Sequence, residues 1–270
     1  MTTSRTMLKQ VAKQIIPERL LIHLQALDHL LNGEPELRLL KRLCPRGKVA
    51  IDVGANIGTY TYFLRRHAAQ VVAYEPNPLL AERLQRAFPD VRVRNAAVSD
   101  RPGIVTLRMP VAHGRVAHEL ASISQSFDDA AEVVSYEIPA VTPDSEELDE
   151  VGFLKIDVEQ HERQVLRGAL RTIERCRPNI LTEATPLLYD SGLIEAFRFL
   201  TELGYQGWFT FKNHAHPFSD FNPITHANPE RRDKAFMNTN IFFFPEEAAA
   251  GPLLSRADSF NGPTYFYSFA

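Results

Sequence analysis

The feature that most constrains the fold is the stretch Val49–Gly58, which reads V-A-I-D-V-G-A-N-I-G. Its alternating β-branched residues predict a short buried strand. The apolar run breaks at Gly54 and Gly58, and an amphipathic pattern that begins at about Ile57 predicts a helix. A strand, a glycine turn and a helix N-terminus together form a site suited to part of a nucleotide-like ligand.

Two acids frame this turn. Asp52 lies at the end of the predicted strand, where a carboxylate can accept hydrogen bonds or meet a cation. A second predicted strand, Val71–Glu75, also ends in an acid. A carboxylate at the end of this second strand is placed to bind the two hydroxyls of a ribose.

The glycine spacing indicates which ligand fits. The pattern is not G-x-G-x-x-G, because position 56 is Asn, and a pyrophosphate needs close backbone approach at several glycines. Asp52 would repel a phosphate but tolerate a sulfonium or an ammonium group. S-adenosylmethionine, with a ribose and a charged amino acid but no phosphate, therefore suits the turn best. A purely structural turn remains the alternative.

Length, composition and charge limit the fold classes, partners and locations to be expected. The 270 residues, 44% of them hydrophobic, predict one large α/β domain with a small elaboration. The net charge of −3 gives no basic footprint, so nucleic acid is not an expected partner. Cys44 and Cys176 form no disulfide framework or metal motif, which fits a reducing cytoplasm. No apolar run has the length of a membrane span, and the first residues lack the apolar core of a signal sequence.

Residues 1–44 are predicted to be a helical cap on the main domain. Their apolar positions recur at three- and four-residue steps, and prolines at 17 and 35 divide the segment. A dimerising or membrane-surface helix is the alternative interpretation, which leaves a homo-oligomer open.

The next predicted strand, Val91–Arg94, precedes two candidate cofactor contacts. The end of a third strand in such a sheet often lies over the adenine, so analogy of position assigns Asn95 and Ala97 to that pocket. This is an argument from fold alone.

Residues 101–143 interrupt the alternation of strands and helices. Two extended runs with a polar loop between them predict a β-rich insertion at the edge of the domain, with a loop able to touch substrate. The loop histidines, His113 and His118, lack a metal-ligand spacing and are predicted to be ordinary surface residues.

A second informative stretch, Phe153–Glu162, joins a predicted buried strand to a cluster of polar residues. Asp157, Glu159 and His161 follow the strand at the end where an open α/β sheet binds ligands. Buried acids are costly unless paired, so such a cluster usually has a function. Glu183 ends the next predicted strand at the same edge.

Two segments near the end of the chain have little pattern. A loop rich in Asn, His and Pro, residues 212–238, is predicted to be a polar lid; metal or substrate binding by its histidines is the alternative. Residues 246–270 form an aromatic tail that packs on the body or on a partner.

Several motifs together resemble the FkbM-type methyltransferases. The motifs are I-D-V-G-A-N-I-G-T-Y-T at 51–61, A-Y-E-P-N-P at 73–78, N-A-A-V-S-D at 95–100, L-K-I-D-V-E-Q-H-E at 154–162, L-R-G-A at 166–169 and R-P-N-I-L-T-E at 177–183. The resemblance covers roughly residues 36–245. It implies a class I, Rossmann-like α/β fold with a seven-stranded, mostly parallel sheet covered by helices on both faces. Residues 45–245 would form the S-adenosylmethionine-dependent domain.

The same resemblance implies cofactor contacts. They fall on Asp52, Gly54, Asn56, Gly58, Glu75 and Asp157. The chain departs from the family at Gln160, where the family commonly has Gly, and at Thr142-Pro143-Asp144, where it commonly reads T-L-D. The first departure could narrow the pocket or redirect Glu159, and neither touches the cofactor loop.

The predicted reaction is methylation of a hydroxyl on a sugar, a glycan or a natural product. A neutral hydroxyl is a poor nucleophile, so a general base should accelerate its attack by about 10²–10⁴. Asp157, Glu159, His161 and Glu183 are the candidates, with Glu159 or His161 preferred. Asp157 could instead hold the methionine ammonium. With Glu183 it could also bind a divalent cation, although no ligand pattern supports one. N-methylation, a nicotinamide-dependent oxidoreductase and a catalytically lapsed scaffold are the alternatives.

Overall fold

A computed structural model of the chain describes residues 17–32, 35–112, 114–183, 191–211, 214–222, 226 and 240–248. Its described strands are β1 Val49–Val53, β2 Gln70–Tyr74, β3 Arg92–Arg94, β4 Ala97–Val98, β5 Gly103–Ala112, β6 Arg115–Val116, β7 Val133–Val141, β8 Val151–Ile156, β9 Asn179–Glu183, β10 Tyr205–Phe211, β11 His214–Pro217 and β12 Asn240–Pro245. The α-helices are α1 Glu18–Asn32, α2 Leu40–Leu43, α3 Thr59–Leu64, α4 Pro78–Ala87, α5 Glu162–Gly168, α6 Leu170–Cys176 and α7 Ser191–Glu202.

The main sheet has eight described strands in the order β11-β10-β12-β9-β8-β1-β2-β3. The five strands from β9 to β3 run parallel, and β12 reverses direction against β9. The α/β architecture and the mostly parallel sheet agree with the prediction, but the predicted count of seven strands is wrong. The eighth is the short strand β11, which pairs with β10 as a hairpin.

Helices cover both faces of this sheet because its central strands are buried on both sides. Ala50 of β1 packs in one hydrophobic cluster with helices α1, α3 and α4. The neighbouring Ile51 points the other way, into a second cluster with α5, α6 and α7. Continuous apolar strands are what a sheet buried on both faces requires.

Helix α4 shows how local sequence fixes an element beside the pocket. The Asn77 side chain caps its N-terminus by accepting a hydrogen bond from the Leu79 amide at 3.1 Å, and Pro78 occupies the first turn. Leu80 and Leu84 then fall on its buried face. This cap fixes the conformation of the turn that follows Glu75.

A second sheet, in the order β4-β7-β5-β6, lies within residues 97–141. Strands β5 and β7 pair antiparallel along eight residue pairs, and they enclose a small core around Leu107 and Met109. Strand β4 joins this sheet in parallel with β7. The two extended runs expected at residues 101–143 are therefore strands, and they build a sheet of their own.

The described part of the N-terminal segment is helical, and α1 packs against α3 and α4. Its inner face carries Ile22 and Ala26, and its outer face exposes Leu20, Leu24 and Leu31. The suggested roles in dimerisation or membrane binding stay predictions. No helix in the described residues is long and apolar enough to cross a bilayer.

Part of the segment predicted as a lid has regular secondary structure. Strand β11 and a 3-10 helix, Phe218–Asp220, occupy its first part. Most of the rest of that segment, and the tail from residue 249, lie outside the described residues. The lid and tail interpretations therefore stay predictions.

Candidate cofactor pocket and acidic turn

A pocket opens at the carboxyl ends of β1, β2 and β8, where parallel strands present their last residues together. It is lined by Val53, Gly54, Asn56, Tyr74, Glu75, Pro76, Ala96, Ala97, Val98, Leu107, His118, Ala121, Ile123, Asp157, Val158, Glu159 and His161. Of the predicted site residues, Gly54, Asn56, Glu75, Ala97, Asp157, Glu159 and His161 belong to this lining.

The glycine turn after β1 brings two backbones into close contact. Gly54 has φ +78°, and a Cβ there would lie 1.8 Å from the carbonyl oxygen of Asp157. Asn56 is also left-handed, with φ 49°, a conformation that Asn tolerates better than most residues. Asn56 therefore adopts a backbone conformation that a glycine at this position could also supply.

Glu75 receives two backbone donors. The amides of Asn56 and Asn77 donate to its two carboxyl oxygens at 2.6 and 2.8 Å. Burial raises the pKa of Glu75 to about 7, although both hydrogen bonds favour the charged form. The carboxyl group is thus fixed in the pocket with lone pairs left for further donors.

Lys155 supplies a positive charge beneath the pocket. Its ammonium lies 2.9 Å from Asp157 Oδ2, 3.9 Å from Asp52 Oδ1 and 4.6 Å from the centre of the Tyr60 ring. Burial acts to raise the pKa of Asp157, but the charge and hydrogen bond of Lys155 keep it below its usual value. Asp157 is therefore an ionised group facing the pocket.

Glu183 contacts Asp157 rather than the pocket. The Glu183 side chain forms a hydrogen bond with Asp157, which acts to lower the pKa of Asp157. This places the fourth candidate base behind Asp157.

The turn after β8 is left-handed at two consecutive residues that are not glycine. Glu159 has φ 45° and Gln160 has φ 75°. Burial, followed by the charges of Asp157 and Glu162, raises the pKa of Glu159 to about 7. Among the described residues, no donor is bound to the Glu159 carboxylate.

His161 is occupied at both ring nitrogens. Nδ1 lies 2.7 Å from Ser124 Oγ, and Nε2 lies 3.0 Å from Ser99 Oγ. Burial lowers the pKa of His161, so the ring is neutral near pH 7. Its position at the pocket agrees with the prediction, but both its nitrogens are already engaged by serine hydroxyls.

The β-rich insertion supplies one wall of the pocket; its loop was predicted to be able to touch substrate, but these contacts to the pocket were not assigned to particular residues. Leu107, Ala121 and Ile123 add apolar surface. His118 Nδ1 lies 2.8 Å from the side-chain amide nitrogen, Nδ2, of Asn77. The prediction that His118 is an ordinary surface residue is therefore wrong. His113 lies outside the described residues.

Three predicted cofactor residues lie outside the lining and brace it. Asp52 is fully buried and accepts a hydrogen bond from Thr61 at 2.6 Å. Asn95 donates from its side chain to the carbonyls of Glu75 and Pro76. Gly58 packs so closely on α4 that a Cβ would lie 2.5 Å from Leu84.

A divalent cation finds little support in the part of the chain that the structure describes. Those residues contain no group of three His, Cys, Asp or Glu side chains able to hold a metal ion. Asp157 is already paired with the Lys155 ammonium, 2.9 Å from its Oδ2.

The pocket suits a nucleoside carrying a positive charge. Glu75 can accept from ribose hydroxyls, Ala97, Val98, Leu107 and Ile123 offer an apolar wall for a base, and Asp157 is an anion for a sulfonium or ammonium group. Fold and site thus define an α/β protein with a site for an S-adenosylmethionine-type cofactor.

Comparison with known protein families identifies the family of this chain. The family model for the methyltransferase FkbM domain matches residues 52–206. The chain belongs to this methyltransferase family, as its motifs predicted. No curated protein sequence matches it significantly.

Solved structures give distant likenesses. A methyltransferase FkbM from Methylobacillus flagellatus is 18% identical over 80% of this chain and 49% of its own, with a TM-score of 0.49. The chain thus spans about half the length of that protein. A putative methyltransferase from Streptococcus mutans, solved with S-adenosylhomocysteine, is 11% identical over 77% and 94%, with a TM-score of 0.40. An S-adenosylmethionine-dependent O-methyltransferase from Thermotoga maritima is 13% identical over 77% and 63%, with a TM-score of 0.37.

Proposed function

We propose that this chain transfers a methyl group to a hydroxyl of a sugar, a glycan or a natural product, with Glu159 as the general base. When bound, S-adenosylmethionine supplies a methyl group on a sulfonium.

The two free cysteines, Cys44 and Cys176, fit a reducing, cytoplasmic location.

The observation that carries this proposal is the state of Glu159. Glu159 lines the pocket, no described donor holds its carboxyl group, and its pKa of about 7 is suited to removing a proton near neutral pH. The other candidates are committed elsewhere: Asp157 to Lys155, Glu183 to Asp157, and His161 to two serines. A hydroxyl beside Glu159 would pass its proton to that carboxylate as its oxygen attacks the methyl carbon.

Asp157 has a separate role in this proposal. As an ionised group at the pocket it would bind the positive end of the methionine moiety, while Glu75 would bind the ribose. Neither residue moves a proton. Holding the nucleophile and the methyl group about 3 Å apart supplies most of the remaining acceleration.

The test begins with the cofactor. Calorimetric titration with S-adenosylmethionine, S-adenosylhomocysteine and NADH should give micromolar binding of the first two and none of the third. NADH binding would instead favour a nicotinamide-dependent oxidoreductase.

The second stage is a screen for release of S-adenosylhomocysteine with sugars, hydroxylated aromatics and amines. Once an acceptor is found, Glu159→Gln should slow turnover by about 10²–10⁴ while leaving cofactor affinity within about threefold. Turnover on amines alone, insensitive to this substitution, would indicate an N-methyltransferase. Cofactor binding with no turnover on any acceptor would indicate a lapsed scaffold.

A further inference from the structure

The loop of the insertion reaches across the pocket to the acidic turn. We call residues 117–126 the strap. Its Ser122 hydroxyl donates to the carbonyl oxygen of Glu159 at 2.9 Å, and Ser122 is only 1% exposed. A contact between residues 37 positions apart thus joins the second sheet to the candidate base.

Ser122 is itself fixed on both sides. Its backbone pairs with Arg108 of β5 through two hydrogen bonds of 2.9 and 3.0 Å. Its hydroxyl oxygen accepts from the amides of Ser124 and Gln125, both at 3.1 Å. The hydroxyl proton is therefore directed at Glu159 by a rigid sheet and a closed turn.

The turn that receives this bond needs an external restraint. Glu159 and Gln160 are both left-handed, which is unfavourable for residues with a Cβ. Within the turn, the Gln160 amide reaches Glu162 Oε1 at 3.3 Å, a long hydrogen bond. Backbone hydrogen bonds from Val158 and Glu162 also reach that carboxyl group, and the 2.9 Å bond from Ser122 ties the turn to the second sheet.

The strap also holds the residue that ends the turn. Ser124 Oγ of the strap lies 2.7 Å from Nδ1 of His161, and Ser99 Oγ lies 3.0 Å from Nε2. Both ring nitrogens are therefore engaged by serine hydroxyls, whichever tautomer the ring adopts.

We propose that Ser122 is a positioning residue that holds the left-handed Glu159–Gln160 turn and thereby aims the Glu159 carboxyl group into the pocket. This inference rests on the proposed role of Glu159 as the base. If Ser122 positions Glu159, the insertion contributes to catalysis. The strap then assists proton removal through Glu159, without contacting the reacting atoms.

The test measures Glu159 directly and needs no acceptor. The protein is labelled with ¹³C at the glutamate side-chain carboxyls, the Glu159 and Glu75 signals are assigned with Glu159→Gln and Glu75→Gln, and both are titrated by NMR. In the unmodified chain Glu159 should titrate near its pKa of about 7. In Ser122→Ala the carboxyl group should turn toward solvent, away from Asp157 and Glu162, and its pKa should fall toward about 4.3.

The controls separate this effect from general damage. The Glu75 titration should not move in Ser122→Ala. Ser126 lies in the same strap and its exposed hydroxyl donates to Asp128, so Ser126→Ala should change neither signal. If Ser122→Ala does not fold, Ser122→Cys keeps the side-chain volume with a weaker donor and is judged by the same shift. An unchanged Glu159 titration in the folded variant would overturn the proposal.

A kinetic arm applies once an acceptor is known. Ser122→Ala should lower kcat about tenfold or more and leave the KM for S-adenosylmethionine within about twofold. If no acceptor is ever found, the proposed function fails while the NMR result on Ser122 still stands. The two failures are therefore distinguishable.

Discussion

The pocket holds two acids whose surroundings differ, the buried Glu75 and the half-buried Glu159. Both have a pKa raised to about 7 by burial. Two backbone amides fix the carboxylate of Glu75, whereas Glu159 sits on a left-handed turn beside two other acids without a described donor. A carboxylate fixed by donors is suited to binding hydroxyls, and one without them is suited to taking a proton. We therefore propose different roles for two acids whose pKa values are raised to the same degree.

The substitution with the largest expected effect disrupts the glycine turn after β1, which packs against the backbone of Asp157. Gly54→Ala would place a methyl group 1.8 Å from the Asp157 carbonyl oxygen in a left-handed residue. We expect a loss of about 3 kcal/mol or more in the free energy of unfolding, and loss of cofactor binding. Urea denaturation measures the first. Gly103→Ala is the matched control, because a Cβ there meets nothing within 4 Å; equal stability of the two variants would contradict the account.

A second change acts only on the Glu159 side. Burial raises the pKa of Glu162 to about 7, above its value in the unfolded chain. Such a group favours the folded state at low pH, and that stability is lost as pH rises through about 7. Glu162→Gln should therefore raise the free energy of unfolding at pH 8 by up to about 3 kcal/mol and change it little near pH 4.5.

Thermal melts at both pH values measure this effect. Glu174 is exposed, so Glu174→Gln is the control and should not change the free energy of unfolding at either pH. A gain for Glu162→Gln that is equal at both pH values would contradict the assignment of a raised pKa.

The third change acts on the Glu75 side. Protonation of Glu75 removes charge from the group proposed to accept hydrogen bonds from the ribose, so affinity for S-adenosylhomocysteine should fall below pH 7 by at most about tenfold per pH unit. Calorimetry between pH 5.5 and 7.5 measures this slope. Glu75→Gln should flatten it and Glu159→Gln should not; the same slope in both variants would remove the distinction between the acids.

The smallest expected effect concerns the strain of the acidic turn. Gln160→Gly supplies the residue that tolerates φ 75°, and we expect a gain of about 0.5–1 kcal/mol. Gln160→Ala keeps the Cβ and should give no gain. Chemical denaturation of the three chains measures the difference, and stabilisation by Ala alone would indicate that strain is not the cause.

The parts of the site predicted from sequence are those that depend on local pattern. Strand β1 was predicted with its observed bounds, and Glu75 and Asp157 lie at the strand ends as expected, because strand period and parallel topology place these residues. The family itself was also identified from these motifs. Local chemistry explains Asn56 as well, since Asn accepts the left-handed conformation that the turn requires.

The parts that could not be predicted depend on long-range packing. His118, Leu107 and Ile123 reach the pocket only because the second sheet docks over it, and no periodicity encodes that docking. The partners of His161 lie 37 and 62 residues away. Strand β11, with two histidines and a proline in four residues, has no strand pattern and forms by pairing with β10.

The difference between the two acids is tested most directly by calorimetric titration of S-adenosylhomocysteine into Glu75→Ala and Glu159→Ala, side by side at pH 8. The account predicts at least about a hundredfold loss of affinity for Glu75→Ala, from the charged hydrogen bonds to the ribose, and a change within about threefold for Glu159→Ala. Equal losses in both variants, or a greater loss for Glu159→Ala, would contradict it.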